Sequence, residues 1–414
     1  MKYFFVKGRF ILVLVLVPFV FFFPSLFTYF AQDDFFLLSV SRINVLSDVL
    51  AFFIPRPEVV WYRPLSSQIF FFVARSLFGL QPIFYHLAVI TTHVVTMIWL
   101  YKLLVRLSLR RELSFLSAMV YGSHQIHVVS ISWLASYSFV LGPLFLVLLL
   151  YYSHSFRFTK ALLIFILGVL TTEFFIMLTP LYSWNEFIFT GKINIKRFFW
   201  FSTVSVAVVY LRLVAFPARF SSELYTLGNL NKFVPTLKFY LLRIGGTPLL
   251  YDTLPLLLQL LSFLSVVICV GFLIAGIYAV YQARISLPKW LLVWSGVALA
   301  SLFPFLLLSS HVAPYYLSFT LLTLIPVIIW FISHSKFFKK LVLGRILLLI
   351  FLFVNTVGIF WTYETHWIFR RAKLAQKLVE QRDFTHEVGS EEYISLGADS
   401  AIQVFESHLN FLRR

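Results

Sequence analysis

Cysteine is nearly absent: Cys269 is the single one among 414 residues, and it sits inside an apolar run. A disulfide framework, a cysteine zinc site and a Cys-x-x-Cys redox pair are thereby excluded. Charge is scarce too. Asp, Glu, Lys and Arg make up 12% of the chain, about half the share of an ordinary soluble domain. Acidic residues are the scarcer kind, 17 against 34 basic ones, for a net charge of +17. Internal repeats of roughly 20 to 50 residues and low-complexity blocks are missing as well, which excludes solenoids and disordered arrays. What fills the chain is hydrophobe, 60% of residues including 50 Phe.

Apolar runs recur from residue 10 to residue 363 and leave no stretch from which to build a separate water-soluble core. They predict an all-α polytopic membrane protein of about 11 transmembrane helices, over 10–30, 82–106, 113–129, 133–152, 161–172, 174–187, 198–216, 254–280, 290–310, 315–332 and 341–361. The first run is longer than a secretory signal core and lacks a small-x-small cleavage site, so it reads as a retained span. The fifth and sixth are short for a perpendicular helix and read as a broken or re-entrant pair around Thr171, Thr172 and Glu173.

With the N-terminus inside, the inner segments collect eighteen basic residues against only Glu112 and Glu186. That is the asymmetry the positive-inside rule requires. It also accounts for the high pI through anionic lipid rather than nucleic acid. The chain then divides into a transmembrane unit, residues 1–363, whose first loop (31–81) faces outward, and a short extracytoplasmic tail, 364–414, opening with an amphipathic helix over 368–379.

The outward loop begins Gln32-Asp33-Asp34, two adjacent carboxylates where the first span leaves the hydrocarbon. They read either as a solvated helix end or as acids placed there for another reason, toward which the mild disfavour of a helix C-terminus for negative charge points. Residues 35–53 mix apolar side chains with Arg42 and Asp48, the pattern of an interfacial helix. Trp61-Tyr62-Arg63-Pro64 then brings a guanidinium to the interface, fit for a bidentate phosphate clamp or for lipid headgroups. Glu173, between two apolar runs, reads as a cavity residue or as a helix-turn residue at the outer interface. His86 and His93 share a helix face, as do His124 and His127. Such spacing suits either a metal site with Asp33 or Asp34 or packed, hydrogen-bonded rings, with His86 near the outer end of its span.

The ordered set Gln32-Asp33-Asp34, Tyr62-Arg63-Pro64-Leu65, Phe78-Gly79-Leu80-Gln81-Pro82, Tyr85-His86-Leu87, His93, Tyr121-Gly122-Ser123-His124-Gln125-Ile126-His127, Trp133, Thr172-Glu173 with Pro180, and Tyr315-Tyr316-Leu317 resembles the C superfamily of polyprenyl-phosphate-sugar-dependent glycosyltransferases, in the branch related to protein O-mannosyltransferases and their bacterial relatives. The resemblance covers most of the chain in order; no single motif carries it. It implies a GT-C-like fold that moves a sugar, with inversion, from a polyprenyl phosphate to an acceptor hydroxyl on a protein or glycan. The setting would be the outer face of a bacterial inner membrane, with the N-terminus cytoplasmic and the C-terminus outside. Asp33 or Asp34 would be the general base, or hold a divalent metal ion as in some relatives. Arg63, Lys232, Lys238 and Arg243 would meet the donor phosphate. Glu173, His86, His124 and Tyr315 would line the cavity.

This chain departs from the family pattern in three places. Ser130 stands where relatives carry an acid, Tyr137-Ser138-Phe139 replaces an Arg-x-Asp-like step, and His311-Val312-Ala313-Pro314-Tyr315 lacks the usual preceding arginine. A transporter or flippase of lipid-linked saccharides, and a catalytically silent family member, are the alternatives. Matching halves of the kind transporters show are not visible in the sequence.

Overall fold

The computed structural model describes residues 2–43, 45, 47–57, 59, 61–218, 230–248, 251–308, 311–335 and 341–381. Among these residues there is no strand. Helix is what an apolar chain must form in hydrocarbon, because only there does each segment satisfy its own backbone polar groups.

The chain opens with α1 (Lys2–Phe21), followed by a 3-10 turn, Phe23–Phe27, with Pro24 in its first turn. Proline has no amide hydrogen to continue the helix, so the first helix stops short of residue 30. The 31–81 loop is itself helical. It holds α2 (Asp33–Val40), α3 (Asp48–Ala51), a π turn (Leu65–Ile69) and α4 (Phe70–Phe78). Where one interfacial helix was expected over 35–53, two short ones stand, parted near Arg42. Asp33 and Asp34 occupy the first turn of α2, so the macrodipole favours their charge instead of opposing it.

Next come α5 (Pro82–Arg106), α6 (Arg111–Gly122), α7 (His127–Ser132) and α8 (Ser138–His154). The run 113–129 is not one helix. Its chain turns after Gly122 because the Gln125 amide donates to Asn355 Oδ1 at 3.1 Å and the Gln125 side chain donates to the Gly246 carbonyl. The broken pair expected near Glu173 is seen as α9 (Phe158–Val169), a 3-10 turn (Glu173–Leu178) and α10 (Leu181–Thr190). There follow α11 (Ile195–Tyr210), α12 (Phe233–Ile244), α13 (Leu256–Gln282), α14 (Lys289–Leu307), α15 (Leu317–His334), α16 (Leu341–Thr365) and α17 (Trp367–Gln381). The amphipathic helix expected over 368–379 is thus present, and the rest of the tail lies outside the described residues.

Among the described residues, six helical stretches are long and apolar enough to cross a bilayer: Pro82–Arg106, Leu134–His154, Ile195–Ala215, Leu256–Gln282, Lys289–Leu307 and Pro314–His334. Shorter apolar helices run over Gly8–Phe21, Leu65–Phe78, Phe158–Val169 and Leu349–Thr365. Burial grades them. The Pro314–His334 stretch is 72% buried and central, while Leu256–Gln282 is 17% buried and turns Leu257, Leu260, Phe263 and Ile274 outward, as a lipid-facing helix does. Gly276 lets α13 press on α15, since a Cβ there would strike the Phe331 carbonyl.

The loops 31–81, 133–137, 170–173 and 311–316 meet at one end of the bundle, joined by contacts of Asp34 with Ala135, Leu65 with Leu170, and Phe139 with Tyr315. Basic side chains gather on the connections at the other end. There Arg106 donates to Tyr151 Oη at 3.0 Å, Arg197 pairs with Glu186 at 2.6 Å and Lys289 donates to the Phe189 carbonyl at 3.1 Å.

Candidate functional site

Two carboxylate-guanidinium centres lie at the loop end, and a row of aromatic rings joins them. The first is built on the start of α2. Gln32, which precedes that helix, has φ 48°, a conformation that costs a non-glycine residue about 1–3 kcal/mol and collects at functional sites. Asp34 is 1% exposed, and both its oxygens are engaged. Oδ2 accepts from the Ala31 amide at 2.9 Å, and Oδ1 accepts from the Ala135 amide at 2.7 Å, in the 3-10 turn Leu134–Ser136. Burial pushes its pKa well up, against these amides, which pull it down. Asp34 therefore bolts the 31–81 loop to the start of α8.

Asp33 is placed differently. Burial raises its pKa to about 6, and the charge of Arg371 on α17 pulls it back. Arg371 does not spend its fork on Asp33. Its Nη1 donates to Gln32 Oε1 at 2.6 Å, and its guanidinium rests over the Trp367 ring at 4.7 Å. The adjacent pair thus divides into an anchor, Asp34, and a carboxylate poised to titrate, Asp33. The division predicts that Asp34→Ala destabilises the fold, because it orphans two buried amides at about 1–3 kcal/mol each. Thermal unfolding in lipid nanodiscs measures this, and an unchanged midpoint would show that Asp34 is no anchor.

The second centre sits where α9 breaks. Glu173 Oε1 accepts from the Tyr62 amide at 2.6 Å, and Oε2 accepts from Arg63 Nε at 2.9 Å. Arg63 Nη1 also donates to Ser138 Oγ at 3.4 Å, and its guanidinium lies 5.5 Å from the Phe139 ring centre and 5.8 Å from that of Trp61. The break is held open by the loop: the Leu65 amide donates to the Leu170 carbonyl at 3.0 Å and Ser66 Oγ to the Thr171 carbonyl at 2.7 Å. Irregular backbone at this depth requires such partners.

Between the centres run Phe139, Tyr315, Trp133 and Trp367, with successive ring centres 4.9, 6.5 and 5.6 Å apart. Tyr315 is therefore in the row. Ser138, the middle residue of the Tyr137-Ser138-Phe139 step, is the hydroxyl that Arg63 meets.

Other candidates stand apart from this row. Lys232, just before α12, and Lys238, midway along it, are exposed. Arg243 is buried over Phe239, its ring centre at 4.6 Å, and burial lowers its pKa to about 10 against the pull of Asp252. It lines a small cavity with Gln125, Thr247, Thr362 and Pro314, the residue before Tyr315. His86 is fully buried, its two ring nitrogens 2.9 and 3.1 Å from the carbonyls of Thr28 and Ile131. His124 sits 3.4 Å from the Ile244 carbonyl and packs on Phe351 at 5.8 Å. Both are packed rings. No cluster of three metal-ligating side chains occurs among the described residues. Both Asp34 oxygens are taken up by amides, which makes Asp33 the carboxylate of the pair placed to meet a ligand.

Sequence reasoning missed Arg371, Trp367 and Arg212. Arg212 is 8% exposed and ties the loop to α11 by donating to the carbonyls of Arg56 (3.2 Å) and Val59. An arginine inside an apolar run was a visible signal for it. Arg371 carried none, being one of several cations on an amphipathic helix. No family model, curated protein or solved structure matches the chain.

Proposed function

We propose that the chain is a membrane glycosyltransferase of the GT-C kind, which moves one sugar from a polyprenyl phosphate to an acceptor hydroxyl on the outer face of a bacterial inner membrane. The helices α1, α6, α9, α10 and α16 would join the six long stretches to make about eleven crossings, with the loop end outside and the basic end inside, as the positive-inside rule favours. The observation that carries the reading is Asp33, a carboxylate with a pKa of about 6, at the end of the bundle where Arg63 and the aromatic row also lie.

The chemistry follows from those parts. A base works best with its pKa near the working pH. Asp33 takes the acceptor's proton as the hydroxyl oxygen bonds to the anomeric carbon. The bond from that carbon to the phosphate oxygen breaks, and polyprenyl phosphate leaves as an anion beside Arg63. A single displacement inverts the anomeric centre. The partly exposed indoles of Trp133 and Trp367 offer flat apolar ground for a pyranose ring, with the buried Tyr315 packed behind Trp133.

Membranes holding the full chain, given a synthetic polyprenyl-phosphate-linked radiolabelled sugar, should label an acceptor protein or glycan. Mass spectrometry of surface glycans from a deletion strain should show the sugar missing. Unaltered glycans together with no transfer in membranes would sink the proposal, and flipping of the carrier without transfer would assign the chain to transport.

A further inference from the structure

The C-terminal helix α17 has four cations, Arg370, Arg371, Lys373 and Lys377. Its buried face is Ile368, Phe369, Ala372 and Ala375, each 5% exposed or less. These pack in one cluster with Phe30, Ala31, Phe35, Leu37 and Leu38 of the loop that bears Asp33. The seat is fixed further by Tyr363, whose ring lies tilted against Phe369 at 4.7 Å and whose hydroxyl meets Ser25 Oγ at 2.5 Å. Helical spacing then decides which cation reaches the loop. Positions 368, 372 and 375 point in, and 371 borders them, whereas Arg370, Lys373 and Lys377 are exposed. Arg371 alone of the four borders the docked face, and it grips Gln32, the residue with φ 48° directly before Asp33.

We infer that Arg371 is a positioning residue for Asp33: α17 docks so that this guanidinium fixes the Gln32 turn and holds its charge beside the carboxylate. The inference rests on the reading of Asp33 as the base. Among the described residues, the charged groups facing Asp33 are Arg371 from α17 and Asp34 from its own helix. The other packed elements add none. Arg75 of α4 donates to the Leu38 carbonyl at 3.2 Å, far along α2; the 65–69 and 134–136 turns are uncharged; Glu364 at the end of α16 is exposed. His366, between α16 and α17, is kept neutral at working pH because burial lowers its pKa to about 4.

The test is a carboxyl titration by infrared difference spectroscopy on the full chain in nanodiscs, with the Asp33 band identified by its loss in Asp33→Asn. In Arg371→Gln the midpoint should move up by about one pH unit, since an opposite charge nearby favours the ionised form. In Arg371→Lys it should stay close to the parent. Sugar transfer by Arg371→Gln should fall about fivefold more at pH 6 than at pH 8. An unmoved midpoint in Arg371→Gln overturns the inference. Should that variant not fold, Gln32→Leu keeps the charge and removes the tether, and an unmoved midpoint there overturns it equally. A moved midpoint with no transfer by the parent protein at any pH upholds the inference and removes the glycosyltransferase reading instead.

Discussion

Asp33→Asn is expected to abolish sugar transfer and, in the same protein, to raise resistance to heat at neutral pH. Loss of a positioned base costs about a hundred- to ten-thousand-fold in rate. The stability gain follows from burial. Folding raises the Asp33 pKa from 3.8 to about 6, so the folded chain holds the proton more tightly than the unfolded one. Below pH 3.8 both forms are protonated and the site is neutral in its effect. As pH climbs from 3.8 to about 6 the cost of the buried charge grows, and above that it is complete. Two units amount to about 3 kcal/mol. Asparagine has the shape without the charge, so the gain should be full at pH 7.5 and shrink to about 0.5 kcal/mol at pH 4. Thermal unfolding followed by tryptophan fluorescence in nanodiscs, run at both values, measures it. A residue kept only for folding would lose stability on replacement; one kept for chemistry at a cost to the fold gains it. Full transfer by the variant would remove Asp33 from the reaction.

The lengths of the long helices were legible in hydropathy, because a bilayer demands uninterrupted apolar helix and little else. The 82–106 run matches α5 residue for residue, and 254–280 lies within two residues of α13. Interruptions were legible only where a local breaker or charge announced them, as at Glu173. The turn after Gly122 is set by Asn355 and Gly246, residues more than a hundred positions away, and no window of sequence near Gln125 contains them. The same distinction applies to the site. Asp33, Arg63 and Glu173 stand out because ionisable groups beside apolar runs are costly and need a reason. Their partners do not stand out. That Asp34 is anchored by backbone amides and Asp33 is not depends on the 3-10 turn at Ala135, and the choice of Arg371 over Arg370 depends on how α17 is seated.

Glu173→Ala should undo the second centre from both sides. The carboxylate holds the Tyr62 amide with one oxygen and Arg63 with the other, so its loss frees the loop and turns the guanidinium loose at once. Side chains 21% and 31% exposed keep some water, which holds the stability cost to about 1–3 kcal/mol, below that of a sealed pair. Transfer should suffer more than stability does. If Arg63 meets the leaving phosphate, misplacing it removes stabilisation that matters most as the bond breaks, and the expected loss is about a hundredfold, chiefly in kcat. Arg63→Lys is a sharper probe, because an ammonium cannot bond Glu173 and Ser138 while lying flat over Phe139. It should keep most of the stability and lose most of the transfer. A double-mutant cycle on Arg63→Lys and Glu173→Gln then separates the two roles. Coupling in kcat as well as in stability is expected if Glu173 works through Arg63, while purely additive losses in kcat would mean that the pair holds the loop and takes no part in displacing the phosphate.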